Sequence, residues 1–300
     1  MKHCLSVITL CSVVSLGFLG CTKEKPQDEP ITAPKSLEPA FLWMSGGSFD
    51  APESIYAASD GFLYVSNIGG GGDKKDGRGW IAKLNKDGSV VTSQFVGGLN
   101  APKGMRDVNG RLWVSDIDEV VEIDLADAKI IRRVKVKGAK FLNDVAISGS
   151  KVFVSDTVGN SIYVIENGKA KVFVSGDFLG HPNGLLMHQG KLVVTSWGAD
   201  MKPDWSSTIL GHVYSLDLKT KKQTFISKSP LGNLDGLEFD GTDFIVSDWM
   251  SGKVYKVTSL GESTEVFSGK KGLADIGLID GGKTLLVPSM LESKVFAKKL

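Results

Sequence analysis

Short apolar runs, most of them three to six residues long, recur along the chain and are separated by turn-forming dipeptides. Leu63-Tyr64-Val65, Leu112-Trp113-Val114, Val152-Phe153-Val154, Leu192-Val193-Val194, Phe244-Ile245-Val246 and Leu285-Leu286-Val287 are β-branched or aromatic in character and read as buried strands. Each follows a turn, among them Asp60-Gly61, Asn109-Gly110, Gly149-Ser150, Gln189-Gly190, Asp240-Gly241 and Asp280-Gly281. Asn-Gly and Asp-Gly mark tight hairpins because those residues tolerate positive φ. A third strand alternates apolar and polar residues, as in Ser161–Ile165 and Lys253–Val257, and a fourth follows, as in Ala170–Val174 and Ser263–Phe267. No long run carries the 3.6-residue period of an amphipathic helix.

The meander repeats. The segments Pro52-Glu53-Ser54, Pro102-Lys103-Gly104, Leu142-Asn143-Asp144, Pro182-Asn183-Gly184, Leu234-Asp235-Gly236 and Ala274-Asp275-Ile276 each open a unit, and positions 53, 103, 143, 183, 235 and 275 are 50, 40, 40, 52 and 40 apart. A period near 40 built from β units predicts an all-β, six-bladed β-propeller with one blade per repeat. The last unit stops after a third strand at Lys294–Ala297, so Phe41-Leu42-Trp43-Met44 is expected to supply its fourth. Such an N-terminal strand closes the ring and removes an open sheet edge.

In a propeller the first residue of each inner strand points at one mouth of the axis. The six opening residues are all polar: Glu53, Lys103, Asn143, Asn183, Asp235 and Asp275. Glu53, Asn143, Asn183 and Asp235 present carboxylate and amide oxygens with no sulfur or imidazole, the donor set of a hard divalent cation. Calcium suits ligands arriving from separate blades because its coordination is loose. Lys103 and Asp275 complete the ring as candidate substrate contacts, and Trp197, Trp205 and Trp249 are placed to wall a pocket on the same face. Asp116, Asp156 and Asp248 follow second strands and read as turn caps; His181 reads as a structural loop histidine. The run Gly69–Gly77 joins two strands without a following helix or a Gly-Lys-Ser/Thr, so it reads as a flexible hairpin loop rather than a phosphate loop.

The six motifs together resemble the senescence marker protein/gluconolactonase (regucalcin-like) family and, more broadly, the six-bladed calcium phosphotriesterases and paraoxonase-type lactonases, over roughly Ala51 to Leu300. The resemblance implies one axial metal held by Glu53, Asn143, Asn183 and Asp235, and hydrolysis of lactones or related esters with Asp235 as nucleophile or general base. It also implies an arginine two residues before the third-blade asparagine, to hold a sugar acid. Phe141 stands there instead, which removes the expected sugar contact. The alternative is a non-catalytic propeller that binds a ligand or a protein partner on the mouth face, since the fold by itself does not imply turnover.

Composition limits the partners. Of the 300 residues 42% are hydrophobic, and the formal net charge is +1. Residues 1–20 carry Lys2 and no acid, so the remainder balances 34 basic against 34 acidic residues, which gives no electrostatic reason to expect nucleic acid. Cys4, Cys11 and Cys21 are all the cysteines, leaving the body without thiol chemistry. Met1-Lys2-His3, the apolar Leu5–Leu19 stretch and Phe18-Leu19-Gly20-Cys21 resemble a bacterial lipoprotein signal over residues 1–20, with Cys21 lipidated; a secretory signal cleaved nearby or an uncleaved anchor is the other reading. Residues 21–40 carry many charges, four prolines and no aromatics, the composition of a disordered tether. The expectation is an exported monomer in a bacterial cell envelope, touching membrane through a lipid anchor only, with the propeller over residues 41–300.

If Cys21 carries the lipid, Cys21→Ser should block its attachment and accumulate precursor, and intact-mass measurement of the wild type should find residues 1–20 removed. An unmodified N-terminus elsewhere would rule the anchor out.

Overall fold

The computed structural model describes residues 41–300. The expected signal segment, Cys21 and the tether lie outside them. Among the described residues there is no α-helix, only short 3₁₀ turns, so no helix is long and apolar enough to cross a membrane.

Six four-stranded antiparallel sheets succeed one another along the chain. Their inner strands are Pro52–Ala57, Pro102–Val108, Leu142–Ser148, Pro182–His188, Leu234–Phe239 and Gly277–Ile279, which define blades 1 to 6. Each blade runs outward from its inner strand, as in blade 3: Leu142–Ser148, Lys151–Asp156, Ser161–Glu166 and Lys169–Ser175. Blade 4 alone inserts an extra hairpin, Gly198–Met201 with Ser207–Leu210, between its second and third strands. That insertion accounts for the interval of 52 residues between Asn183 and Asp235.

The core is not one mass but a set of apolar seams, each between neighbouring blades. Val145, Val152 and Tyr163 of blade 3 pack on Trp113, Val120 and Val134 of blade 2. Leu185, Leu192 and Tyr214 of blade 4 pack on Phe153, Ile162 and Val164. This follows from strand geometry: alternate side chains point to opposite faces, and both faces of every blade meet a neighbour. The second strands therefore each carry an unbroken apolar triplet rather than an alternating pattern. Leu63-Tyr64-Val65 and Leu285-Leu286-Val287, for example, are wholly buried.

In blade 6 the outermost strand is Phe41–Gly46, which pairs antiparallel with Lys294–Lys299. Phe41 lies against Phe296 and Phe267, with ring centroids 4.7 and 6.4 Å apart. On the other side Trp43 donates its indole N–H to Lys86 O of blade 1 at 2.9 Å. Its ring covers Gly88, a turn residue at φ +81° where any Cβ would strike the indole. The strand thus contacts blades 5, 6 and 1 together.

Hydroxyl groups stitch the blades near the axis. Ser155 Oγ of blade 3 donates to Asn183 O (2.6 Å), Thr195 Oγ1 of blade 4 to Asp235 O (2.7 Å) and Ser247 Oγ of blade 5 to Ala274 O (2.8 Å). Ser115 Oγ makes the same bond to Asn143 O. Blade 6 carries Pro288 at the equivalent place and uses main chain instead. Asp275 N donates to Glu53 O at 2.8 Å, and Ile55 N donates to Asp275 O at 3.2 Å.

Phe41→Ala should cost about 2 kcal/mol, less than a fully buried phenylalanine because the ring is only partly covered. Urea unfolding would measure it. Removing residues 41–46 altogether should lower the midpoint further and expose the edge of Lys294–Lys299, seen as aggregation. An unchanged midpoint would show that this strand contributes nothing to closure.

Candidate functional site

Five inner strands carry a register shift at their opening residue: between Pro52 and Ser54, Pro102 and Met105, Leu142 and Val145, Pro182 and Leu185, and Leu234 and Leu237. A bulge of this kind re-aims a side chain. Here it accompanies Glu53, Lys103, Asn143, Asn183 and Asp235, all of them buried. The approaches to these strands are braced by the residues that end the second strands. Asp116 accepts N–H bonds from Asn100 and Ala101, Asp156 from Lys140 and Phe141, and Asp248 from Asn233. These aspartates cap, as expected, and the turns they cap are those that deliver Lys103, Asn143 and Asp235.

The sixth member of the ring is Ala274, not Asp275. Leu273 bridges Ser289 as Leu142 pairs with Asp156, and Ala274 O takes the hydroxyl bond that Asn143, Asn183 and Asp235 take in their blades. Asp275 therefore lies one residue deeper, level with Ser54 and Asp144. Ser54 Oγ donates to Asp275 Oδ2 at 2.6 Å. The parallel between Leu142-Asn143-Asp144 and Leu273-Ala274-Asp275 was a usable signal for this register.

Above the ring lies a cavity of about 370 Å³. Glu53, Lys103, Asn143 and Asp235 form its floor. Phe141, Trp197, Trp205 and Trp249 line one side, and Ile68, Met290 and Leu291 the other. Asn183 and Asp275 are not among its lining residues. The glycine-rich loop contributes Gly72 and Asp73, a role its composition did not suggest. His181 is structural: its ring Nδ1 meets Thr157 O at 2.8 Å, and its backbone N–H is held by Asn160 Oδ1 at 2.9 Å.

The ring's hydrogen bonds orient oxygens toward the axis. Asn183 Nδ2 donates to Leu234 O (3.2 Å), which leaves its Oδ1 buried without a partner. Asn143 Nδ2 donates to Thr157 Oγ1 (3.4 Å), which in turn donates to Pro182 O (3.0 Å). Glu53 Oε2 is likewise buried and unpartnered. Burial pushes the Glu53 carboxyl well above its usual range, and repulsion from Asp235 adds to it. Burial does the same to Asp235, followed by repulsion from Asp275 and Asp144. Lys103 Nζ donates to Ala101 O (2.9 Å) and Gly72 O (3.2 Å) and lies 4.3 Å from the centre of the Phe141 ring. Burial lowers its pKa against the pull of Glu53, Asp116 and Asp235.

These features fit a divalent cation. Two buried oxygens have no donor, two carboxylates repel each other, and both amide nitrogens are tied back. Among the described residues no group of three or more His, Cys, Asp or Glu is arranged for a metal, so a cation here needs the amide oxygens of Asn143 and Asn183. Calcium accepts such oxygens.

One layer deeper, Arg106 fills the axis. Its Nη2 is 3.2 Å from Glu238 Oε1 and 3.9 Å from Asp144 Oδ2, and its Nη1 donates to Met105 O at 2.8 Å. Gly104 keeps this layer open, since a Cβ there would meet the Asp144 carboxylate. Burial raises Asp144 and Asp275 above the ordinary aspartate range, and lifts Glu238 to about 7. None of Arg106, Asp144 or Glu238 was singled out from sequence as a site residue.

Comparison with known proteins supports the architecture. No protein-family model matches the chain, and no curated protein matches it in sequence. Solved structures do match in fold. A chain of a nidogen/laminin complex aligns at TM-score 0.62 with 15% identity, over 74% of this chain and 86% of that one. A gluconolactonase from Xanthomonas campestris aligns at 0.61 with 14% identity, over 86% and 87% of the two chains. A catalytically inactive virginiamycin B lyase from Staphylococcus aureus, solved with quinupristin, aligns at 0.57 with 15% identity, over 86% and 99%. The protein is a six-bladed β-propeller with a polar axial ring under an aromatic-walled cavity.

The raised carboxyls set a pH dependence. An acid whose folded pKa exceeds its unfolded value stabilises the fold below the ordinary carboxylate range, and that stability is lost as pH rises through the raised value. Metal-free protein should therefore melt at progressively lower temperature from about pH 5 to about pH 7. Glu238→Gln should flatten the part of that fall lying below about 7. A melting temperature that stays level or rises over this range would contradict the buried, uncompensated carboxylates.

Proposed function

We propose that this protein is a calcium-dependent hydrolase of lactones or related esters. The observation that carries the reading is the convergence of Glu53, Asn143, Asn183 and Asp235 beneath a cavity, with Glu53 Oε2 and Asn183 Oδ1 left without partners. These four side chains would hold the ion. Bound there, calcium would supply a Lewis acid for a carbonyl or phosphoryl oxygen. Asp235 faces the cavity and serves as nucleophile or as base toward water. Glu53 and the two asparagines position; the tied-back amide nitrogens keep their oxygens facing inward. Lys103 spends two of its three N–H donors on Ala101 O and Gly72 O and offers the third to substrate. The gluconolactonase among the structural neighbours is consistent with this chemistry on this fold. Export and lipidation at Cys21 would put the domain in the bacterial envelope, working as a monomer on small molecules.

A second reading, a non-catalytic binding propeller, draws on Lys103: its ammonium already offers Glu53 and Asp235 a positive charge. A chain of a nidogen/laminin complex, a protein–protein assembly, shares this fold.

Excess calcium should raise the melting temperature of the tag-free body relative to chelator, by the equivalent of about 2.7 kcal/mol at a hundredfold excess over Kd. Asp235→Ala should erase the shift. On a lactone and arylester panel, Asp235→Asn should cut turnover by about 10²–10⁴-fold while the fold persists, and Lys103→Ala should change which substrates are accepted. Identical melting with calcium and chelator would refute the site. Calcium binding without turnover of any panel member would favour the binding reading.

A further inference from the structure

The aromatic side chains at the mouth form a continuous arc on one side only. Phe141 precedes the inner strand of blade 3, Trp197 and Trp205 belong to the blade-4 insertion, and Trp249 follows the second strand of blade 5. Ring centroids are 5.3 Å apart for Phe141–Trp205, 6.3 Å for Trp205–Trp197 and 6.0 Å for Trp197–Trp249.

The insertion is held for this purpose by specific bonds. Trp197 Nε1 donates to Trp205 O at 2.7 Å. Asn233 Nδ2, from the approach to blade 5, donates to Trp197 O at 2.9 Å and to Ser207 Oγ at 2.6 Å. The Trp197 indole N–H and the Asn233 amide are thus spent on the scaffold, so Trp197 turns its ring rather than a polar atom to the cavity. Trp205 sits at the hairpin tip with φ +69°, a left-handed conformation that is costly for a bulky residue and cheap for glycine or asparagine. It remains 40% exposed, so no tertiary core accounts for a tryptophan there.

The chemistry of the walls selects the ligand. A polyol would leave its hydroxyls unpaired against this arc, at the desolvation cost of each. A flat ring gains stacking and edge-to-face contact. With a divalent cation in place, the charges of Glu53, Asp235, Lys103 and the rim residue Asp73 sum to zero, so the floor favours neither an anion nor a cation.

We propose that the blade-4 hairpin is the specificity lip of the cavity and that the group it takes is a neutral aromatic ring. On the hydrolase reading above, on which this rests, the substrates are then aryl-bearing lactones or esters rather than sugar lactones, and Trp205 is a specificity-determining residue.

Calorimetric titration of the calcium-loaded body with 2-naphthol, decahydro-2-naphthol, gluconate and phenyltrimethylammonium tests this without turnover. Saturable binding of 2-naphthol is expected, at least about tenfold tighter than the other three. Trp205→Ala should weaken it by about tenfold, and Trp205→Phe should restore most of the loss. Melting temperature checks that the alanine variant is folded. Equal or tighter binding of decahydro-2-naphthol or gluconate would overturn the proposal, as would 2-naphthol binding indifferent to Trp205→Ala. Tighter binding of phenyltrimethylammonium would make the arc a cation cage and overturn it too. A protein that binds 2-naphthol as described yet hydrolyses no panel member upholds the aromatic subsite and removes only the hydrolase reading.

Discussion

Too many carboxylates are buried on one axis for the charge available to meet them. Glu53 and Asp235 in the ring, and Asp144, Asp275 and the partly buried Glu238 beneath, face only Lys103 and Arg106 as buried cations. Removing a carboxylate from water without a partner costs several kcal/mol, and a group in that position gains a proton or a counter-ion instead. Arg106 answers the lower layer directly, through Glu238 and Asp144. The upper layer has Lys103, whose two backbone bonds draw it to the side, toward Ala101 and Gly72. The imbalance is concentrated where the cavity opens, so the place that most needs a cation is also the one a small molecule can reach.

Holding that imbalance in place requires stiffness, and the fold supplies it from three directions. Bulges aim the ring residues inward. The second-strand aspartates lock the approach turns of three blades. Hydroxyl bonds from blades 2 to 5 to the next blade's opening carbonyl, and main-chain bonds between blades 6 and 1, fix the ring positions against one another. A functional constellation is more exact when it stands on strands than on loops, and here strands carry Glu53, Lys103, Asn143, Asn183 and Asp235 while loops and turns supply the cavity walls and the Gly72 contact. The ring is thus rigid, while the walls above it belong to the segments most free to differ between related folds.

The repeat made the fold legible. Six apolar second strands, recurring every 40 to 52 residues and each after a turn, carry enough information to count blades and to locate Glu53, Asn143, Asn183 and Asp235. The register at Ala274 was misread because spacing alone favoured Asp275 and a polar residue was expected there. Leu273 in the place of Leu142 outweighs that preference, because the strand's pairing with Ser289 decides which residue opens it. Arg106, Asp144 and Glu238 were hidden for a different reason. One turn of the chain past the ring, a charged residue in a strand looks like a solvated face until the axis is known to be closed on all sides. Nothing in the composition of Gly69–Gly77 distinguishes a free loop from one whose carbonyl meets Lys103 Nζ.

Among the described residues, the strand that completes blade 6 is the first to leave the ribosome and its partner, Lys294–Lys299, is the last. Five blades can zip up locally as they emerge, each from contiguous chain. The sixth cannot, and Phe41 and Trp43 must remain without their packing partners until synthesis of the final strand ends. Folding therefore closes on the most non-local pairing in the molecule, the slow kind. Until that moment the growing protein presents an unfinished edge on both of its flanks, and this interval is its window of greatest exposure to misassociation.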